Sequence, residues 1–126
     1  MISRYLQVSY EAQPPGLTAL FLYDSPVSGG DTGFADQRGA YNQLSPSFRA
    51  YLETLEVLHS AVRQADESRH HPTLGDVVKR EPVESVHPLV RRHPVTGEKA
   101  LYVNKNFSRA IVGLKKEESD SILNLL

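Results

Sequence analysis

The residues of this chain whose types could do chemistry are His59, His70, His71, His87 and His93, the serines Ser9, Ser25 and Ser28, and the aspartates Asp31 and Asp36 around a glycine-rich loop. Histidines could hold a metal ion or act as bases, a serine could be a nucleophile, and paired carboxylates could exchange protons. None of these is set in a recognisable catalytic spacing. No histidine stands where the sequence would nominate it as a base for Ser9, Ser25 or Ser28. His87 and His93 flank an expected strand at an even spacing, which would place both on one face if the strand is unbroken. Yet both precede proline and no acid lies between them. His70 and His71 are neighbours in a polar stretch, where solvent-facing or hydrogen-bonded histidine is the better reading. Asp31 and Asp36 read as loop solvation and capping. There is no G-x-S-x-G elbow, P-loop, H-E-x-x-H or G-x-G-x-x-G. With no cysteine, disulfides, thiolate metal sites and thiol nucleophiles are excluded.

The elements that must position these residues are legible in part. Residues 8–10 and 17–23 read as strands on either side of Pro14-Pro15-Gly16. The second run, Leu-Thr-Ala-Leu-Phe-Leu-Tyr, is apolar enough for a strand covered on both faces. Residues 24–33 form a loop. Ser45-Pro46 opens a helix, with serine as N-cap and proline at the first helical position. Phe48, Tyr51, Leu52 and Leu55 give that helix one apolar stripe. Residues 56–62 return as a strand. Residues 63–86 read as a long loop insertion with at most a short helical piece. Residues 87–92 and 99–104 form a hairpin around Pro94-Val95-Thr96-Gly97. A last helix runs from about Lys115 to the end, where Leu125-Leu126 carries no stop signal, so a chain cut within its helix is expected. The pattern is mainly β with appended helices, which suits an antiparallel architecture such as a jelly roll.

At 126 residues the chain is at most one domain, and 40% hydrophobic with 23% charged residues is ordinary for a globular protein. A net charge of −1 leaves no electrostatic footprint for nucleic acid or an anionic membrane surface. The longest apolar run is too short to span a bilayer, which takes roughly 20 residues. The N-terminus lacks a secretory signal, and the cytosol is the expected location.

Several segments, in order, carry a family resemblance: Val8-Ser9-Tyr10-Glu11, Gln13-Pro14-Pro15-Gly16, Gly29-Gly30-Asp31-Thr32, Ala40-Tyr41, Leu44-Ser45-Pro46, His87-Pro88, Arg91, His93-Pro94-Val95-Thr96-Gly97, Ala100-Leu101, Val103-Asn104 and Ile111-Val112. Together they resemble the TauD/TfdA-like Fe(II)/2-oxoglutarate-dependent dioxygenases, in particular the fungal taurine/sulfonate type. The resemblance implies that residues 1–126 are a partial dioxygenase domain, part of a double-stranded β-helix (the clavaminate synthase-like jelly roll). Its family partners would be a sulfonate or similar small anionic substrate, with Fe(II) and 2-oxoglutarate as cofactors.

Members of this family hold iron through two histidines and a carboxylate, which leaves positions open for 2-oxoglutarate and oxygen. The His-x-Asp half of that set falls here on Tyr5 and Gln7. Gln7 offers only a neutral oxygen, and a tyrosine ionises only near pH ~10. The family's distal histidine and 2-oxoglutarate-binding arginine fall beyond Leu126. The resemblance therefore implies no catalytic and no metal residue in this chain, and neither cofactor bound. It gives Thr32 a 2-oxoglutarate contact and Val8, Tyr10 and Phe107 places beside the substrate. The alternatives are a turn role for Thr32 and core packing for Val8 and Tyr10, which share a face if they lie on a strand. His59 becomes a strand residue near the pocket wall, and Lys115 a poor cap where the family has a small one. The expected function is a dioxygenase fragment, inactive as it stands. The alternative is a non-catalytic ligand- or protein-binding derivative, with exposed sheet edges that would favour self-association.

Overall fold

The computed structural model describes residues 8–19, 21–24, 26–30, 33–70 and 81–126. Helix α1 spans Gln37–Gln43, and its N-cap Asp36 accepts a hydrogen bond from the Arg38 backbone N–H at 3.0 Å. Helix α2 follows over Pro46–Leu52 with Pro46 at its start and Ser45 as N-cap, although the serine side chain makes no capping bond. Strand β1, Glu56–Ser60, comes next, then helix α3, Val62–His70. Strands β2 (Glu84–Pro88), β3 (Val90–Arg92), β4 (Lys99–Leu101) and β5 (Ser108–Ile111) lead to helix α4, Lys116–Leu125.

Strand β1 is the centre of a three-stranded antiparallel sheet ordered β2-β1-β5, with a register shift on the β5 side between Leu58 and His59. Strands β3 and β4 form a separate antiparallel pair. Only Leu89 separates β2 from β3. Its N–H donates to the Leu55 carbonyl at 2.9 Å and its carbonyl accepts from the Tyr102 N–H at 2.7 Å, so the chain leaves one sheet and enters the other here. Leu89 is fully buried and belongs to a core with Tyr41, Leu52, Val57, Leu101 and Ile111. Partly buried Phe48, Leu55, Leu114, Ile122 and Leu123 pack against that core, so α2 and α4 present the apolar stripes their sequences carry. Helix α1 lies against β4, where Arg38 donates to both Glu98 carboxylate oxygens at 2.9 and 3.0 Å. Ser119 on α4 accepts the Ile111 N–H at 2.8 Å and so ties that helix to β5. No helix among the described residues is long and apolar enough to cross a membrane.

The expected mainly-β, jelly-roll architecture is corrected by this structure. The fold is mixed α/β with small antiparallel sheets, and among the described residues neither sheet closes or curls. Sheets of three and two strands are far from the roughly eight that a small closed barrel needs. The expected strands at 8–10 and 17–23 are absent from the described residues there, which are turn, bend and irregular chain. A strand exists only where another pairs with its N–H and C=O groups, and no described strand does so here. Phe21 and Tyr23 are instead 76% and 93% exposed. The α2, 56–62 strand, hairpin and α4 expectations correspond to α2, β1, β3–β4 and α4. The polar stretch from 63 begins as α3 and ends in β2, and its middle, 71–80, lies outside the described residues.

Candidate functional site

Three parts of the chain meet around two buried histidines. His59 comes from β1 at the register shift, and His87 from the facing position range of β2. Tyr102, which follows β4, completes a three-ring cluster whose centroids lie 5.3 Å (His59–Tyr102) and 5.5 Å (both contacts of His87) apart. The Arg91 guanidinium stands 4.6 Å over the Tyr102 ring, a cation–π contact.

The segment at 8–11 is seated on this cluster. Ser9 Oγ lies 2.9 Å from His59 Nδ1 and 3.0 Å from Asn104 Nδ2, and His87 Nε2–H donates to the Glu11 carbonyl at 2.9 Å. Asn104 Oδ1 accepts the Phe107 N–H at 2.8 Å, which leaves its amide N–H to donate to Ser9. With the Ser9 hydroxyl donating to His59 Nδ1, the ring carries its proton on Nε2. Ser9 and His59 are both fully buried. Among the described residues the His59 Nε2 and Tyr102 Oη atoms are buried without a hydrogen-bond partner. Burial, reinforced by the charge of His87, pushes His59 down to about 4, against an opposing pull from the Tyr102 backbone. Burial, then the Arg91 charge, lowers His87 as well.

A serine 2.9 Å from a histidine has the spacing of a nucleophile and its base. This pair is not built for that role. Both groups are buried, His59 is a weak base, and among the described residues no carboxylate orients its far nitrogen. The contacts hold the segment in place instead.

Of the residues expected at a substrate pocket, Tyr10 and Phe107 come together edge to face with centroids 4.9 Å apart. Phe107 is buried, while Tyr10 and Val8 are half-buried. The Val8 carbonyl accepts the Glu11 N–H at 3.0 Å in a turn. Thr32, Tyr5 and Gln7 lie outside the described residues. The sequence offers Ser9 as a candidate but no histidine to go with it, because nothing local links it to a histidine fifty positions away. His93 caps its own turn, with Nδ1 accepting from the N–H groups of Val95 (3.3 Å) and Thr96 (3.2 Å). The change of sheet at Leu89 removes the unbroken strand that would have aligned it with His87. An open groove of about 530 Å³ lined by Ser60, Val62, Arg63, Asp66, Glu67, Glu84 and Arg109 contains none of the expected pocket residues.

The sequence profile described as taurine catabolism dioxygenase TauD, TfdA family matches residues 7–126. The chain belongs to this family. It is 48% identical over 122 residues to an alpha-ketoglutarate-dependent sulfonate dioxygenase of Saccharomyces cerevisiae, covering 97% of this chain and 29% of that protein. An alpha-ketoglutarate-dependent dioxygenase of Penicillium expansum is 38% identical over 126 residues, with 99% and 35% coverage. The crystal structure of a taurine dioxygenase from Burkholderia xenovorans superposes with a TM-score of 0.54 at 32% identity, over 71% of this chain and 27% of that one. The chain therefore spans about a third of the length of these three relatives.

Members of the family take an iron ion, and the described residues do not fit one. No group of three or more histidine, aspartate and glutamate side chains among them could hold a metal. The nearest approach is His59 with His87, but His59 Nδ1 is engaged by Ser9, His87 Nε2 by the Glu11 carbonyl, and the cluster presents no carboxylate.

Proposed function

We propose that this chain is one part of an Fe(II)/2-oxoglutarate-dependent dioxygenase domain of the fungal sulfonate type, inactive as it stands. The family match across residues 7–126 carries this reading, and the resemblance sets Tyr5 and Gln7 at the family's His-x-Asp ligand positions. The identity to the yeast sulfonate dioxygenase supports a sulfonate or similar small anion as the substrate of the whole domain. In this reading Val8, Tyr10 and Phe107 form a substrate wall, Thr32 contacts 2-oxoglutarate, residues 63–86 are an insertion, and the domain works in the cytosol. The packing of Tyr10 on Phe107 supports the wall. The chain's own contribution is to position that wall rather than to move protons or electrons.

The test is incubation of the purified chain with iron(II), 2-oxoglutarate, ascorbate, oxygen and taurine, with succinate as the readout. Succinate at the level of a chain-free control is expected, and production above it overturns the claim of inactivity. A second reading, a non-catalytic derivative that associates with itself or another protein, draws on the exposed Leu17, Phe21, Leu22, Tyr23, Val27 and Phe34. Sedimentation velocity separates the two readings by showing a concentration-dependent oligomer or its absence.

A further inference from the structure

We propose that Ser9, His59 and Asn104, together with His87 on the Glu11 carbonyl, form a buried polar latch that fixes the segment at 8–11 on the central sheet. Its first support is that residues 8–11 join no strand ladder among the described residues, so regular backbone pairing does not hold them. Its second is that the holding groups come from separate elements: His59 from β1, His87 from β2 and Asn104 from the loop after β4. Each contacts a different atom or direction of the segment, at 2.9, 2.9 and 3.0 Å. Asn104 also fixes the Phe107 N–H, so a single side chain sets both the segment and the ring that receives Tyr10.

The latch is selective as well as adhesive. A buried serine that accepts from Asn104 and donates to His59 leaves both partners short of a bond if the hydroxyl is removed. An apolar side chain at position 9 would satisfy the volume and fail the chemistry. These residues are positioning residues: they meet one another and the segment, not a substrate. That the latch thereby places Val8 and Tyr10 as a substrate wall rests on the dioxygenase reading above; the latch itself does not.

Amide hydrogen exchange followed by NMR on the whole chain tests it without any ligand. The reporter is the Glu11 N–H, and the controls are the Leu89 N–H bonded to Leu55 and the Val112 N–H bonded to Glu56. In Ser9→Ala, exchange at Glu11 is expected to rise roughly tenfold or more while the controls hold. His87→Phe, which keeps a ring but loses the donor to the Glu11 carbonyl, is expected to do the same. Unchanged Glu11 exchange in both variants overturns the latch. Equal acceleration at reporter and controls also overturns it, because it would show these residues to be general core. Because no cofactor or substrate enters the measurement, a failed latch leaves the dioxygenase reading intact, and succinate production by the chain leaves the latch intact.

Discussion

Acidification should loosen this protein in a window set by one buried side chain. His59 is neutral in the folded chain, and burial has pushed it down to about 4. In the unfolded chain it titrates near 6.5. The unfolded state therefore takes up the proton first, so stability is fully present above pH 6.5, falls below it, and levels off near pH 4. For those two values the loss at pH 5 is about 2 kcal/mol, rising to ~3 kcal/mol once both states are protonated. That is a large share of the 5–15 kcal/mol typical of a domain. His87, also lowered, adds in the same direction. The charged groups that bear on the pair are Arg91 and Arg109, both cationic and unable to stabilise a protonated ring, while Ser9 and Tyr102 face it as neutral groups. Glu11 lies on the docked segment. The carboxylates of Asp36 and Glu53 are held below their ordinary range and stay ionised through the upper part of the window. Urea unfolding followed by circular dichroism at pH 7.5, 6 and 5 reads the effect, with a fall in midpoint of about 1 M expected by pH 5. The same series on His59→Gln should lose most of this slope. A flat midpoint in the parent chain, or an equal slope in His59→Gln, refutes the argument.

Two further outcomes follow from buried or strained backbone. Ser119→Ala leaves the buried Ile111 N–H without an acceptor and should cost about 1–3 kcal/mol, read as a lowered urea midpoint. A fall no larger than that of an exposed serine such as Ser121 would argue against it. Gly113 sits at φ +82° with open space around it, so Gly113→Ala meets strain rather than a clash and should cost about 1 kcal/mol in the same assay. An unchanged midpoint would show that the turn before α4 relaxes.

The elements that could be read from the chain were those whose cause is local. Ser45-Pro46 and the stripe through Phe48 and Leu52 make α2 wherever an apolar surface is offered, and Pro94 to Gly97 turn the chain between β3 and β4, with Gly97 at φ +73°. Helix α1 escaped notice because seven residues with a single buried side chain, Tyr41, carry little periodicity. The run at 17–23 misled for the opposite reason: its composition describes a strand, but composition cannot provide the strand it would pair with. The expected jelly roll failed with it, since closure of a sheet is a property of many strands together.

By itself, then, the sequence determined the family, the start of α2, the Thr96-Gly97 turn and the apolar face of α4. These depend on residue identity and on neighbours within a turn or two. Only the tertiary structure decided that Ser9 meets His59 and Asn104, residues 50 and 95 positions away, that His87 holds the Glu11 carbonyl, and that the chain changes sheets at Leu89. Such contacts are chosen by which arrangement buries the core while leaving fewest polar groups unpaired, and that selection is made by the whole chain at once.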